Sequence, residues 1–208
     1  MTGRELFNIS PVIPVVVLED VLHAVPLAEA LIEGGIGIME ITLRSEAALP
    51  SIEAIAGAVP QMHVGAGTAM TAGDLRRVRD AGGRFSFSPG ISESLLRCST
   101  QERITFIPGV ATASEVMAAL NAGFDACKLF PAAAAGGTAL LKGFSGPFPA
   151  MRFCPTGGVG LADMNDFLRL PNVPCVGGSW VVPKSAVDAG RFDEVTALCR
   201  EAVDLAVR

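Results

Sequence analysis

Residues 12–59 read VIPVVVLEDVLHAVPLAEALIEGGIGIMEITLRSEAALPSIEAIAGAV, and the spacing within them decides the fold. Apolar runs at 12–18 and 36–43 alternate with amphipathic stretches at 25–32 and 46–59. A strand with one wet face alternates polar and apolar residues, whereas a near-continuous apolar run marks a parallel strand covered on both faces. Gly34-Gly35 ends the first helical stretch, because glycine readily adopts the left-handed conformation that closes a helix. The same unit recurs toward the C-terminus. Strands are predicted over 62–67, 84–88, 104–110, 126–130, 152–155 and 175–178. Helices are predicted over 72–81, from Ser92 onward, over 113–122, within 138–143, and over 161–170 and 192–207. Strict strand–helix alternation requires a parallel sheet with right-handed crossovers. Eight units of roughly 25 residues each predict a (β/α)₈ TIM barrel, with a doubly wound open sheet as the alternative. No linker or low-complexity tract interrupts residues 1–208, so the expectation is one domain with a short N-terminal segment.

The 208 residues are 50% hydrophobic and 18% charged, an apolar balance that requires a large internal core. No apolar run approaches the ~20 residues that span a bilayer, so no membrane partner is expected. A net charge of −5 argues against a nucleic-acid partner, because phosphate backbones call for a basic face. MTGRELFNIS (1–10) is too polar for a secretory signal. Cysteines at 98, 127, 154, 175 and 199 form no CxxC pair, the pattern of a reduced cytoplasmic protein. His23 and His63 lack acidic or cysteine partners at ligand spacing, so no metal and no other cofactor is expected.

Function should lie where a buried strand carries charge. Of the three lysines, Lys142 and Lys184 fall in helix and loop settings where exposure is the expectation. Lys128 stands inside Ala126-Cys127-Lys128-Leu129-Phe130. A buried ammonium costs several kcal/mol unless it is paired or gives up its proton. Such an amine is either a nucleophile toward a carbonyl carbon or a structural counter-ion. On the strand at 36–43, period two puts Glu40, Thr42 and Arg44 on one face, and Met39, Ile41 and Leu43 on the other. Glu40 and Arg44 offer a proton-transfer carboxylate and a bidentate carboxylate ligand, or else an internal ion pair. Gly157-Gly158 and Gly177-Gly178-Ser179 follow the seventh and eighth strands, where barrels bind phosphate through accessible backbone N–H groups. Thr68 closes the third strand as a hydroxyl donor to substrate or as a helix cap. Pro89, Pro108, Pro131 and Pro155 mark strand ends, and so the C-terminal face of the barrel. Glu19-Asp20 reads as a solvated loop, and Cys127 as a small hydrophobe packed outward.

Taken in order, GIMEITLR (37–44), VGAGT (64–68), SPG (88–90), IPGVAT (107–112), KLFPA (128–132), RFCPTGG (152–158) and GGSW (177–180) resemble a known family. It is that of the 2-keto-3-deoxy-6-phosphogluconate (KDPG) and 4-hydroxy-2-oxoglutarate (KHG) aldolases, class I. The resemblance runs from about Pro11 to the C-terminus. It implies a homotrimeric, metal-free, cytoplasmic TIM barrel of the Entner–Doudoroff pathway. The reaction implied is reversible cleavage of KDPG to pyruvate and glyceraldehyde 3-phosphate, and of KHG to pyruvate and glyoxylate. The resemblance puts the Schiff base on Lys128, proton transfer on Glu40, and substrate carboxylate binding on Arg44 with Thr68. Pro89 and Phe130 match pocket positions, and Gly157, Gly158, Gly178 and Ser179 match phosphate ligands. Aldolases for the galactonate epimer tend to carry an apolar residue where Thr156 stands, so Thr156 and Ser179 favour the gluconate form. Three alternatives stay open: the galactonate-epimer aldolase, a lysine-independent phosphosugar isomerase or epimerase barrel, and a non-catalytic phospho-acid sensor.

Overall fold

The computed structural model describes residues 1–99 and 102–207. Its strands are β1 (Val12–Val16), β2 (Ile38–Thr42), β3 (His63–Gly67), β4 (Phe85–Phe87), β5 (Thr105–Ile107), β6 (Gly109–Val110), β7 (Ala126–Leu129), β8 (Arg152–Pro155) and β9 (Val176–Gly178). All pair in parallel, in a six-stranded sheet ordered β5-β4-β3-β2-β1-β9 and a three-stranded sheet ordered β6-β7-β8. A parallel bridge between Thr156 and Gly177 links the end of β8 to β9. The result is an α/β fold with a curled parallel sheet and helices between successive strands, save β5 and β6, which Pro108 alone separates. No helix among the described residues is long and apolar enough to cross a membrane.

The strand expected over 104–110 is divided at Pro108, with a physical cause. Proline has no N–H to donate, so pairing cannot run through it unchanged. Up to Ile107 the chain pairs with β4; beyond Pro108 it pairs with β7, and the Pro108 carbonyl accepts the Lys128 backbone N–H at 2.9 Å. The predicted helices are present with shifted ends. The one placed within 138–143 is Gly137–Ser145, and the one over 161–170 shrinks to Met164–Leu168. Asp20, read as solvated, caps a 3₁₀ turn (Val21–His23) by accepting from the Leu22 N–H at 2.9 Å. Cys127 is buried as expected, and burial pushes its thiol far up.

Two short helices escape the periodicity reading: α1 (Gly3–Phe7) and a second at Lys184–Asp188. A Thr2/Glu5 capping box starts α1, each side chain bonding the other's backbone N–H. The helix lies at the N-terminal ends of the strands, where Arg4 pairs with Asp125 at 2.8 Å and the Thr105 hydroxyl donates to the Met1 carbonyl. Leu6 and Phe7 are fully buried there, each contributing about 1.5–3 kcal/mol of apolar burial. Phe7 stacks on Phe87, centroids 6.4 Å apart, so α1 seals the end of the strands opposite the candidate site.

Candidate active site

At the other end, β2 and β7 bring together two charges 88 residues apart. Lys128 Nζ donates to Glu40 Oε1 at 2.8 Å and to Oε2 at 3.1 Å. Their side chains are 7% and 2% exposed, so each is the other's main compensation for leaving water. Glu40 reaches the lysine by lying across β3 at Gly67, where an added Cβ would sit 1.9 Å from Oε1. The rings of Phe87 and Phe130 flank the ammonium at 5.1 and 5.6 Å from their centroids, within cation–π range.

Arg44 continues the polar face that period two predicted. Its Nε donates to Thr42 Oγ1 at 3.2 Å, and among the described residues its terminal nitrogens donate to no protein group. Thr68 sits at φ +63°, a left-handed conformation costly for a β-branched residue. With Val15, Thr42, Pro89, Phe130 and Thr156, these groups line an inner cavity of about 240 Å³. Two cations face one carboxylate across it, leaving one positive charge over for an anionic group of a ligand.

Val15, Arg44 and Thr156 also border an outer cavity of about 480 Å³, so the two form one cleft. The outer part holds the expected Gly158, Gly178 and Ser179, together with Val17, Val159 and Val182. Gly157 lines neither part; at φ +97° it shapes the loop, and its carbonyl accepts the Ala133 N–H at 3.0 Å. Beneath Thr156, Cys154 Sγ lies 3.8 Å from Oγ1, and burial with the Cys154 contact pushes the Cys175 thiol well up. No group of His, Cys, Asp and Glu among the described residues clusters as a metal site would need.

The sequence reading missed three contributors. Thr42 stood on the right face without a role, and Phe87 carried no signal beyond an apolar strand. Lys184 is exposed, as expected, but also lines the outer cavity.

A cleft at the C-terminal ends of parallel strands, floored by a buried amine against a carboxylate, defines an α/β enzyme equipped for carbonyl chemistry. The chain belongs to the aldolase family described as KDPG and KHG aldolase, whose model matches residues 4–198. It is 47% identical over 203 residues to the 2-dehydro-3-deoxy-phosphogluconate aldolase of Pseudoalteromonas atlantica, covering 98% of this chain and 94% of that one. It is 45% identical over 203 residues to the KHG/KDPG aldolase of Escherichia coli K12, covering 98% and 95%. Among solved structures, the KDPG aldolase of Legionella pneumophila, with pyruvate captured at low pH as a covalent carbinolamine intermediate, matches with a TM-score of 0.94. That match has 45% identity and covers 95% of this chain and 96% of that one.

Proposed function

We propose that the protein is a class I aldolase that reversibly cleaves KDPG to pyruvate and glyceraldehyde 3-phosphate, and also accepts KHG. The observation that carries this reading is the Lys128–Glu40 contact, buried beside a guanidinium whose terminal nitrogens donate to no protein group among the described residues, in a cleft with a second, glycine-rich compartment. In the reaction, Lys128 Nζ passes a proton to Glu40 and attacks C2 of the keto acid. Glu40 returns that proton to the carbinolamine hydroxyl, which leaves as water, so that a protonated imine and a free Glu40 carboxylate remain. Glu40 then accepts the C4 hydroxyl proton, the C3–C4 bond breaks, and its electron pair flows into the imine to give an enamine. Glyceraldehyde 3-phosphate leaves, Glu40 returns a proton to C3, and hydrolysis frees pyruvate and the amine. Arg44 and Thr68 hold the carboxylate, while Gly158, Gly178 and Ser179 hold the phosphate through loops shaped by Gly157. Holding both ends supplies the orientation on which such rates depend. Pro89, Phe130 and Thr156 wall the inner cavity, and Thr156 favours the gluconate over the galactonate epimer.

The fold in this reading is one (β/α)₈ barrel and one domain. Merging β5 and β6 across Pro108 gives eight strands, and the Thr156–Gly177 bridge supports closure of the ring. The assembly and setting are those of the resemblance, a cytoplasmic homotrimer in the Entner–Doudoroff pathway. The test is borohydride reduction in the presence of pyruvate, followed by intact mass and peptide mapping. A reduced pyruvyl adduct on Lys128 is expected; a folded protein that gains no adduct in excess pyruvate overturns the aldolase reading.

A further inference from the structure

The outer cavity contains a charge that the sequence motifs do not explain. Its lining includes two cations, Arg44 and Lys184, and no carboxylate. Arg44 stands at the boundary shared with the inner cavity, where the aldolase reading commits it to the substrate carboxylate. A phosphate held by the glycine loops would then meet backbone N–H groups and the Ser179 hydroxyl, with Lys184 the other cation among the lining residues. Backbone donors fix a phosphate's position, but a dianion leaving water also needs opposing charge.

Lys184 is available for that purpose. In the structure its Nζ donates to Asp188 at 2.8 Å, one turn along the same short helix. Both side chains are about half exposed, at 58% and 48%, and an exposed i,i+4 pair is weak enough to be exchanged for a stronger partner. Asp188, and Glu19 on the loop after β1, hold the ammonium above its ordinary value, so it stays charged at every working pH. The four-carbon stem gives it reach that the loop glycines lack.

We propose that Lys184 is a specificity-determining residue: its ammonium leaves Asp188 for the phosphate in the outer cavity and thereby favours phosphorylated over phosphate-free substrates. This rests on the aldolase reading and assigns substrate choice within it. Loss of the cation should act on binding of the phosphorylated substrate and not on chemistry at Lys128, which the inner cavity governs.

The experiment compares wild type, Lys184→Met, Lys184→Arg and the remote surface control Lys142→Met on KDPG and on phosphate-free KHG. Removing one charge-assisted contact should raise KM for KDPG about tenfold with kcat little changed. KM for KHG should not move, Lys184→Arg should restore most of the loss, and Lys142→Met should match wild type. Competitive inhibition by inorganic phosphate should weaken in parallel in Lys184→Met. An unchanged KM for KDPG in Lys184→Met, or an equal loss on both substrates, overturns the inference. Pyruvate trapping separates the two levels. An adduct in wild type and variant with no change in phosphate dependence removes Lys184 alone, whereas no adduct in either removes the aldolase reading and this role together.

Discussion

Truncating one member of the Lys128–Glu40 pair should be far more damaging than truncating both. Lys128→Met leaves a carboxylate, and Glu40→Leu an ammonium, without its opposite charge at a site where the side chains are only 2% and 7% exposed. Breaking a buried pair costs about 3–5 kcal/mol, while replacing both members by apolar groups is often neutral. The inner cavity, about 240 Å³, admits water to one side of the pair, which puts each single variant near the lower bound, about 3 kcal/mol. The double variant faces Val15, Phe87 and Phe130 and should lie within about 1 kcal/mol of wild type. For a chain of this size about 3 kcal/mol corresponds to a fall of roughly 6–12 °C in Tm. Urea unfolding without pyruvate, which would add binding energy to the folded state, gives the four stabilities of the cycle. A double variant as unstable as the sum of the singles, or singles indistinguishable from wild type, would show that the pair is not electrostatically coupled.

Thr68 and Asp74 carry two further predictions. Thr68→Gly relieves a β-branched residue held at φ +63°, and after the greater chain entropy of glycine it should raise stability by about 1 kcal/mol. Because the hydroxyl is lost, aldol cleavage should fall in the same variant; thermal unfolding with steady-state kinetics checks both, and a drop in Tm contradicts the strain. Asp74 is subject to burial, which raises its pKa, but the Met70 and Thr71 N–H groups and Arg77 outweigh this and hold it below the usual carboxylate range. A depressed folded pKa means stability that is complete above the unfolded value, near 3.9, and lost as pH falls through the folded one. Asp74→Ala should therefore cost about 1–2 kcal/mol at pH 7, with the gap closing as pH is lowered below the unfolded value. Urea unfolding across that range measures it, and a pH-independent gap refutes the charge argument.

The sequence exposed most of the architecture because parallel strands covered on both faces are conspicuous in one dimension. Charge inside such strands is equally conspicuous, which is why Lys128, Glu40 and Arg44 could be picked out before any distance was known. What stayed hidden depends on the third dimension. Pro108 signals a strand end in sequence, but only the exchange of neighbours from β4 to β7 shows that the chain carries straight on. Gly67 reads only as the last residue of a predicted strand until Glu40 is seen lying where its side chain would be. Five residues are too few for helical periodicity, so α1 could have been found only from Thr2 and Glu5 at capping-box spacing. Lys184 has no sequence signal at all: what separates it from Lys142 is the cavity beside it.

The small helix α1 also bears on the order in which the molecule becomes solid. Its seat is made by residues far down the chain: Met1 is tied to Thr105, 104 residues away, and Gly3 packs against Ile107 and Ala126. Synthesis at roughly 5–20 residues per second delivers that seat some ~5–20 s after the helix itself has been made. Through that interval Leu6 and Phe7 have nowhere to hide, and Phe87 lacks the ring that later stacks beneath it. A segment made before its seat is thus locked down late, and its docking fastens both ends of a long stretch of chain at once.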